Sequence, residues 1–482
     1  MCKSLCLGIV LLAETVSASE VRLSSFSPAA DGKTDDTGAL QALFSAARKG
    51  KARRVIIEPG VYFVNRGNVA LCGNCTVEAE GAEFVFPRKL GEREQRVMFK
   101  GVDLTNFRWQ GGFFRGYVYD PTRAENTWEP STLTRGILLV TSAAGRTDSV
   151  FFSGLRGRDV GGAVLSVMGS EAKTTTNFAQ RVDVRDCSFV RCGKFMWDYG
   201  FLWERLTFPD RFPADQVALA KRYDNEAEPV EKRFWRWNPI GGGPGKGGLD
   251  LWRCRYAVVS GCRLDACGDA MHIGECQDVV FSGNQVTGAR MGAFYIGNYC
   301  QRVSVTGNTV DGTNGSRIMS VETCSQDITI VGNVFANGGR GSWINQPKNI
   351  VIANNIFVRN TLKCTPRENV GRLTYHAHGG YERYPEIYFT TVNPRGTYGP
   401  VIMKDNVFTL SSDASLAVAF RNGGRNIRFD GNAFTGAVKD IYVGEHCEMP
   451  EMSGNIGLGK VVRTIGDAQS GGGLPEDRWS GK

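Results

Sequence analysis

Through the second half of the chain, short runs alternating β-branched and polar residues recur, each closed by a small residue and Asn. Val279-Val280-Phe281 runs into Gly283-Asn284, Val303-Ser304-Val305 into Gly307-Asn308, Ile328-Thr329-Ile330 into Gly332-Asn333, and Ile350-Val351-Ile352 into Asn354-Asn355. The phrase returns at Asp405-Asn406, Gly431-Asn432 and Gly454-Asn455, in steps of 22 to 26 residues with one step of 51 between Asn355 and Asn406. Runs this short and this rich in β-branched residues are strand chemistry. No window between them carries the ten or so residues of 3.6 periodicity a helical repeat needs. Each repeat therefore predicts one coil of two or three short strands, too small to bury a core alone, so the coils must stack into an all-β solenoid. The Gly-Asn pair supplies the turn. Asn tolerates left-handed backbone angles, and Asn side chains one strand spacing apart (~4.8 Å) can hydrogen-bond along the stack as a ladder.

A second strand per coil aligns as Leu249-Asp250-Leu251-Trp252, Met271-His272-Ile273-Gly274, Phe294-Tyr295-Ile296-Gly297 and Met319-Ser320-Val321-Glu322. With the apolar residues inward, alternation sends Asp250, His272, Tyr295 and Ser320 to the outer face as a column, with Trp252, Gly274, Gly297 and Glu322 beside it. Arg253, Glu275, Asn298 and Thr323 form a row just past the strand, and Asp269 opens the His272 strand. Acidic, imidazole and phenol groups in successive coils make this the candidate site, and the glycines at 274 and 297 are expected to leave room for a ligand. The alternative is a merely solvated sheet face. Two insertions flank it. One, about 209–247, carries Trp235, Trp237 and the glycine-rich run into Asp250; the other, about 361–400, carries Tyr375, His376 and His378, with Tyr388 close by. Long loops in a compact repeat usually serve binding, and aromatic faces suit the C–H faces of sugars.

Near the start, Asp31-Gly32-Lys33-Thr34-Asp35-Asp36-Thr37 precedes a helical pattern with Leu40, Leu43, Phe44 and Ala47 on one face, and then the strand Val55-Ile56-Ile57. Asp35, Asp36 or Thr37 can cap that helix, which would close the open end of a solenoid. This stretch and the repeats, together spanning 21–457, resemble the pectate-lyase-like right-handed parallel β-helix superfamily, found in polygalacturonase-type and rhamnogalacturonase-type glycoside hydrolases and in many phage tailspikes. The resemblance implies three parallel sheets, a solid core and sugar binding in a groove on one sheet. Of the polygalacturonase motif, Asp269 and Arg317 match, whereas Gly245-Lys246-Gly247 and Met291-Gly292 stand where Asn-Thr-Asp and His-Gly are expected; galacturonan hydrolysis is therefore disfavoured.

The sequence points first to an exported enzyme that cleaves glycosidic bonds of a complex glycan by hydrolysis, with β-elimination as the alternative and binding without catalysis as the second. A glycoside hydrolase would use two of Asp250, Asp269, Glu275 and Glu322, separated by ~5 Å if retaining and ~6.5–9.5 Å if inverting. A polysaccharide lyase would use His272 with Tyr295, supported by Arg253, Lys246 or Arg290, on an anionic glycan; lyases of this superfamily commonly add calcium, but no dense Asp cluster appears. A glycan-binding protein without catalysis is the second alternative. Trp252, Arg253, Asn298, Arg317, Trp235, Trp237, Tyr375, His376 and His378 are the candidate substrate contacts. A hydrolase would need neither metal nor cofactor.

The 482 residues include 60 Gly and are 42% hydrophobic, a length one elongated body from 19 to 468 absorbs, leaving a flexible tail over 469–482. Residues 1–18 read as an export signal, with Lys3, the apolar run Leu5 to Leu12 and small residues after it; the run is too short to span a bilayer. A secreted or periplasmic protein follows. Two of the 14 cysteines lie in that segment; Cys254, Cys276, Cys300 and Cys324 recur once per coil and predict a buried stack, and Cys72 and Cys75 a local disulfide or two free thiols. The net charge of +8 favours anionic partners, but no basic block interleaved with aromatics points to nucleic acid.

Overall fold

The structure, a computed structural model, describes residues 20–464 except 88–95, 117–133, 172–175, 194–208, 212–213, 215–216, 219–246, 290–291, 313–317, 339–340, 361–384, 392–395, 411–416, 422, 437–438 and 445. The export segment and the tail lie outside these residues, as does most of both insertions.

Each coil runs through three short strands, as in Gln277–Ser282, Gln285–Thr287 and Gly292–Ile296, before Gln301–Thr306 begins the next. Stacked coil on coil, the described strands build a first sheet of 14, a second of 13 and a third of 13, with neighbours parallel and consecutive coils adjacent. The result is a three-sided right-handed solenoid, the hand that parallel strand connections take. The expected helix is present as Thr37–Gly50, and it lays Leu40, Leu43, Phe44 and Ala47 against the first coils, all of them buried. Its first turn is held by Asp35, whose carboxylate accepts from the Thr37 amide at 3.0 Å, whereas Asp36 turns back to accept from Ala29 and Ala30. Inside the solenoid, equivalent residues stack on themselves: the Phe357, Phe408 and Phe434 rings lie 4.8 and 4.9 Å apart with nearly parallel planes.

The asparagine ladder runs unbroken. The side-chain oxygen of Asn308 accepts from the backbone amide and the side-chain amide of Asn284, both at 2.9 Å, and the same pair of bonds repeats through Asn333, Asn355, Asn406, Asn432 and Asn455. One detail differs from expectation. The left-handed angle falls on the residue before the Asn, Gly283, Gly307, Gly332, Asn354, Asp405, Gly431 or Gly454, with φ between 53° and 69°. The ladder Asn is thereby free to point inward, where it stays buried as far as Asn432. The cysteine stack also shifts at one step. The Cys254 amide donates to Cys276 Sγ, but the Cys300 amide donates to Ser325 Oγ at 3.2 Å, so Ser325 takes the place expected of Cys324. Cys72 and Cys75 are free thiols with their sulfurs 3.8 Å apart. No helix among the described residues is long and apolar enough to cross a membrane.

Candidate active site

The third sheet carries the candidate residues. Leu249–Trp252 pairs with Asp269–Gly274, which pairs with Gly292–Ile296, which pairs with Met319–Val321. The register sets Ser166, Asp250, His272, Tyr295 and Ser320 side by side in successive coils, as alternation requires once Leu249, Leu251, Met271, Ile273, Phe294 and Ile296 fill the core. The row continues through Trp343, Tyr388, Ala419 and Tyr442, a buried cluster separate from the main core. Tyr388 is thus a strand residue and no part of a loop wall; its ring stacks on Trp343 at 5.2 Å and its hydroxyl accepts from Arg421 at 3.1 Å.

The column is adjacent as expected, but it is enclosed. Asp250, His272 and Ser320 are 0 to 1% exposed, and only Tyr295 is partly open. His272 Nδ1 lies 3.1 Å from Asp250 Oδ1, and the same oxygen accepts the Gly247 amide at 3.1 Å. A hydrogen on Nδ1 donating to that carboxylate leaves the lone pair on Nε2, and Nε2 is buried with no hydrogen-bond partner. The His272 ring is packed between Tyr295, 4.8 Å away, and Trp252, 5.8 Å away. The space beside the flanking glycines is taken up by these rings and, at Gly297, by the Ile273 carbonyl as well. A Cβ on Gly274 would stand 2.2 Å from the Trp252 ring, and one on Gly297 would stand 2.9 Å from the Tyr295 ring.

The other candidates are spread along the same strands. Asp269 is buried at the start of its strand, in register with Gly292 and three residues before His272. Glu275 is held in a two-pronged ion pair by Arg253, at 2.8 and 3.1 Å. Glu322 is half-buried just past Val321, and Asn298 is exposed. Arg317, Trp235, Trp237, Lys246, Arg290, Tyr375, His376 and His378 lie outside the described residues. Among the described residues no three His, Cys, Asp or Glu side chains converge as metal ligands would.

Two neighbours escaped the sequence reading. Ser166 precedes Asp250 in the column, and Arg135, 4% exposed, donates from Nε to Ser166 Oγ at 3.0 Å. Burial pulls the Arg135 guanidinium below its usual range, while the Asp250 carboxylate pulls it back up. The signal was there: Leu165-Ser166-Val167 has the same alternation as Leu249-Asp250-Leu251, but the insertion separates the two by 84 residues where the repeat would have about 24.

A family model described as a right handed beta helix region matches residues 240–382. The chain is a right-handed parallel β-helix. Its coils align with the A-module of a mannuronan C-5 epimerase from Azotobacter vinelandii, at 13% identity and a TM-score of 0.56, over 92% of this chain and 99% of that one. They align with the Dettilon tailspike protein at 13% identity and a TM-score of 0.57, over 88% and 68% of the two chains. The tailspike of E. coli bacteriophage HK620, solved with a hexasaccharide, gives 12% identity and a TM-score of 0.55 over 94% and 79%. At such identities the likeness is one of fold. No curated protein matches the β-helix in sequence.

Proposed function

We propose that this β-helix is an exported enzyme that removes the proton from the carbon next to a uronate carboxylate in an acidic polysaccharide. The observation that carries the reading is the buried Asp250–His272 contact, which leaves His272 Nε2 as a partnerless base. In this reaction Nε2 takes the C5 proton, and the electron pair forms the C4–C5 double bond as the C4–O bond breaks. The Tyr295 hydroxyl, in the next coil, returns a proton to the departing oxygen. Asp250 holds the imidazole in the required tautomer and stabilises its charged form. Because the pair is enclosed, substrate must displace what covers this face, which would exclude water from the reacting atoms. The basic net charge of +8 and the likeness to an epimerase named for the same carbon support an anionic substrate. Reprotonation from the opposite side, in place of cleavage, would give epimerisation.

Hydrolysis by a carboxylate pair has less support. Asp250 is engaged by His272 and Glu275 by Arg253. Asp269 and Glu322 sit two coils and five residues apart, a backbone separation of ~19 Å against the ~6.5–9.5 Å of an inverting pair.

The test is incubation with a panel of uronate polymers in deuterated water. Unsaturated-uronate absorbance supports elimination, deuterium at C5 without cleavage supports epimerisation, and new reducing ends without either would replace the reading with hydrolysis. His272→Gln should abolish turnover while the far-ultraviolet circular dichroism stays unchanged; full activity in that variant refutes the site.

A further inference from the structure

Cys72-Gly73-Asn74-Cys75 turns the corner between Val69–Ala70 of the third sheet and Thr76–Glu78 of the first. Its two thiols are free and their sulfurs lie 3.8 Å apart, with Cys75 Sγ donating to the Cys72 carbonyl at 3.1 Å. The backbone fixes the corner in place. Asn74 takes a left-handed φ of 57°, and its amide donates to the Thr105 carbonyl at 2.8 Å, an oxygen that would stand 2.8 Å from a Cβ on Gly73. The Cys75 carbonyl accepts the Arg108 amide at 3.0 Å. A disulfide needs sulfurs ~2 Å apart, so a further approach of ~1.8 Å closes the bond. We propose that Cys72 and Cys75 form a redox site, a dithiol that small-molecule disulfides convert reversibly into a covalent clip on the amino-terminal cap.

Cys72 is the attacking thiol. It is 7% exposed beside the half-buried Gly73 and the exposed Asn74, whereas Cys254, Cys267, Cys276 and Cys300 are 0% exposed. Arg48 of the capping helix donates to the Leu71 carbonyl, one residue before it, at 2.9 Å. The contact with Cys75 draws the Cys72 thiol below its usual range, with burial opposing and the Arg48 guanidinium assisting. The same contact and burial push Cys75 up, so the thiolate forms on Cys72. That thiolate attacks one sulfur of a disulfide RSSR and expels the other as a thiolate, which takes up the proton Cys72 lost and leaves as RSH. Cys75 then gives up its proton and attacks Cys72 Sγ, expelling the second RSH. The two thiols are oxidised to one disulfide as RSSR is reduced to two RSH. The clip acts on the cap because the Ala70 amide donates to the Gln41 side chain at 2.9 Å while Arg48 holds Leu71, which ties the corner to the helix.

The test takes the folded full-length protein, reduced with dithiothreitol and then exposed to glutathione disulfide, alkylates it after unfolding and maps the cysteines by mass spectrometry. The peptide holding Cys72 and Cys75 should lose two hydrogens and escape alkylation, while Cys254, Cys267, Cys276 and Cys300 are alkylated in full. Dithiothreitol should reopen the bond without urea. In Cys75→Ser the mixed disulfide has no resolving thiol, so Cys72 should keep one glutathione; in Cys72→Ser, Cys75 should take up glutathione about tenfold more slowly. Oxidation of the wild type should slow hydrogen exchange at the Ala70 and Asn74 amides by about tenfold. Thiols at 72 and 75 that both stay free, or a bond that opens only in urea, overturn the redox site. Equal uptake by the two variants overturns the role of Cys72, and unchanged exchange overturns the clip. The wild-type mapping decides the redox site even if neither variant folds, and no readout involves the polysaccharide reaction.

Discussion

Glu386 offers a direct test of how this solenoid handles a buried charge. It stands in the turn before Ile387–Thr390, fully buried, where its Oε1 accepts the Asn360 amide at 2.9 Å while Oε2 has no hydrogen-bond partner. Burial pushes its carboxyl up from 4.5 to about 7, with the bonds from Asn360 pulling the other way. The folded state therefore holds this proton more tightly than the unfolded chain does. Its contribution to stability is whole below about pH 4.5 and is lost as the pH rises through about 7. The shift corresponds to a loss of about 3 kcal/mol, complete near pH 8. Glu386→Gln keeps an oxygen for Asn360 and never ionises. Its absolute stability also reflects an amide group placed where Oε2 has no partner, so the informative quantity is the difference between the two proteins as pH changes. Asp31, Asp35, Glu78 and Asp278, all held below the usual carboxylate range, titrate in both proteins and cancel. Urea unfolding at several pH values, with hydrogen exchange at the Asn360 amide as a local probe, should show the wild type losing about 3 kcal/mol relative to the variant between about pH 4.5 and pH 8. Curves that stay parallel within about 0.5 kcal/mol would refute the buried-carboxylate reasoning.

Asn333→Ala removes a buried side chain that accepts from Asn308 twice and donates to Val305 and Asn355, and it should cost about 3–5 kcal/mol in urea unfolding; Asn455→Ala, at the half-exposed end of the ladder, should cost about 1. Equal losses would mean that burial does not set the strength of the ladder. Gly274→Ala should drive the Trp252 ring off His272, seen as a changed tryptophan emission and a loss of about 1–3 kcal/mol, whereas Gly283→Ala, with open space around it and a φ of 62°, should cost about 1 kcal/mol and leave the emission unchanged.

The fold was legible because its signal is repeated. Seven Asn residues in similar settings each restate the same turn, and an error at one, such as the left-handed angle falling on Gly307 and not Asn308, leaves the coil intact. The column was legible for the same reason: period-two alternation in four adjacent strands makes Asp250, His272 and Tyr295 neighbours without reference to any contact. What alternation cannot state is whether an outward face meets water. Pattern alone assigned Gly274 and Gly297 to a ligand, but the space beside a glycine goes to whatever is nearest: the Trp252 ring of the adjacent strand at Gly274, and the Ile273 carbonyl and the Tyr295 ring at Gly297. Arg135 was beyond reach for a different reason. It comes from a coil joined to the column across an insertion, so no local period points to it.

The ladder and the site are the same geometry with different contents. A parallel solenoid puts equivalent positions ~4.8 Å apart on each row, so every row is a line of enforced contacts. When a row repeats one self-complementary group, as Asn284 through Asn455 do, each member satisfies the next and the row adds stability. When a row changes identity at every step, as Ser166, Asp250, His272 and Tyr295 do, unlike groups are held in contact whether or not that stabilises the fold. Burial then removes the water that would blunt their interaction. Among the described residues, the cost of enclosing an acid, a base and, beside them, a guanidinium in one place has no counterpart along the rest of this row, which turns to Trp343, Tyr388 and Tyr442 beyond Ser320. A position where a repeat protein departs from its own repeat, and places charge out of water in doing so, is where its chemistry should be sought.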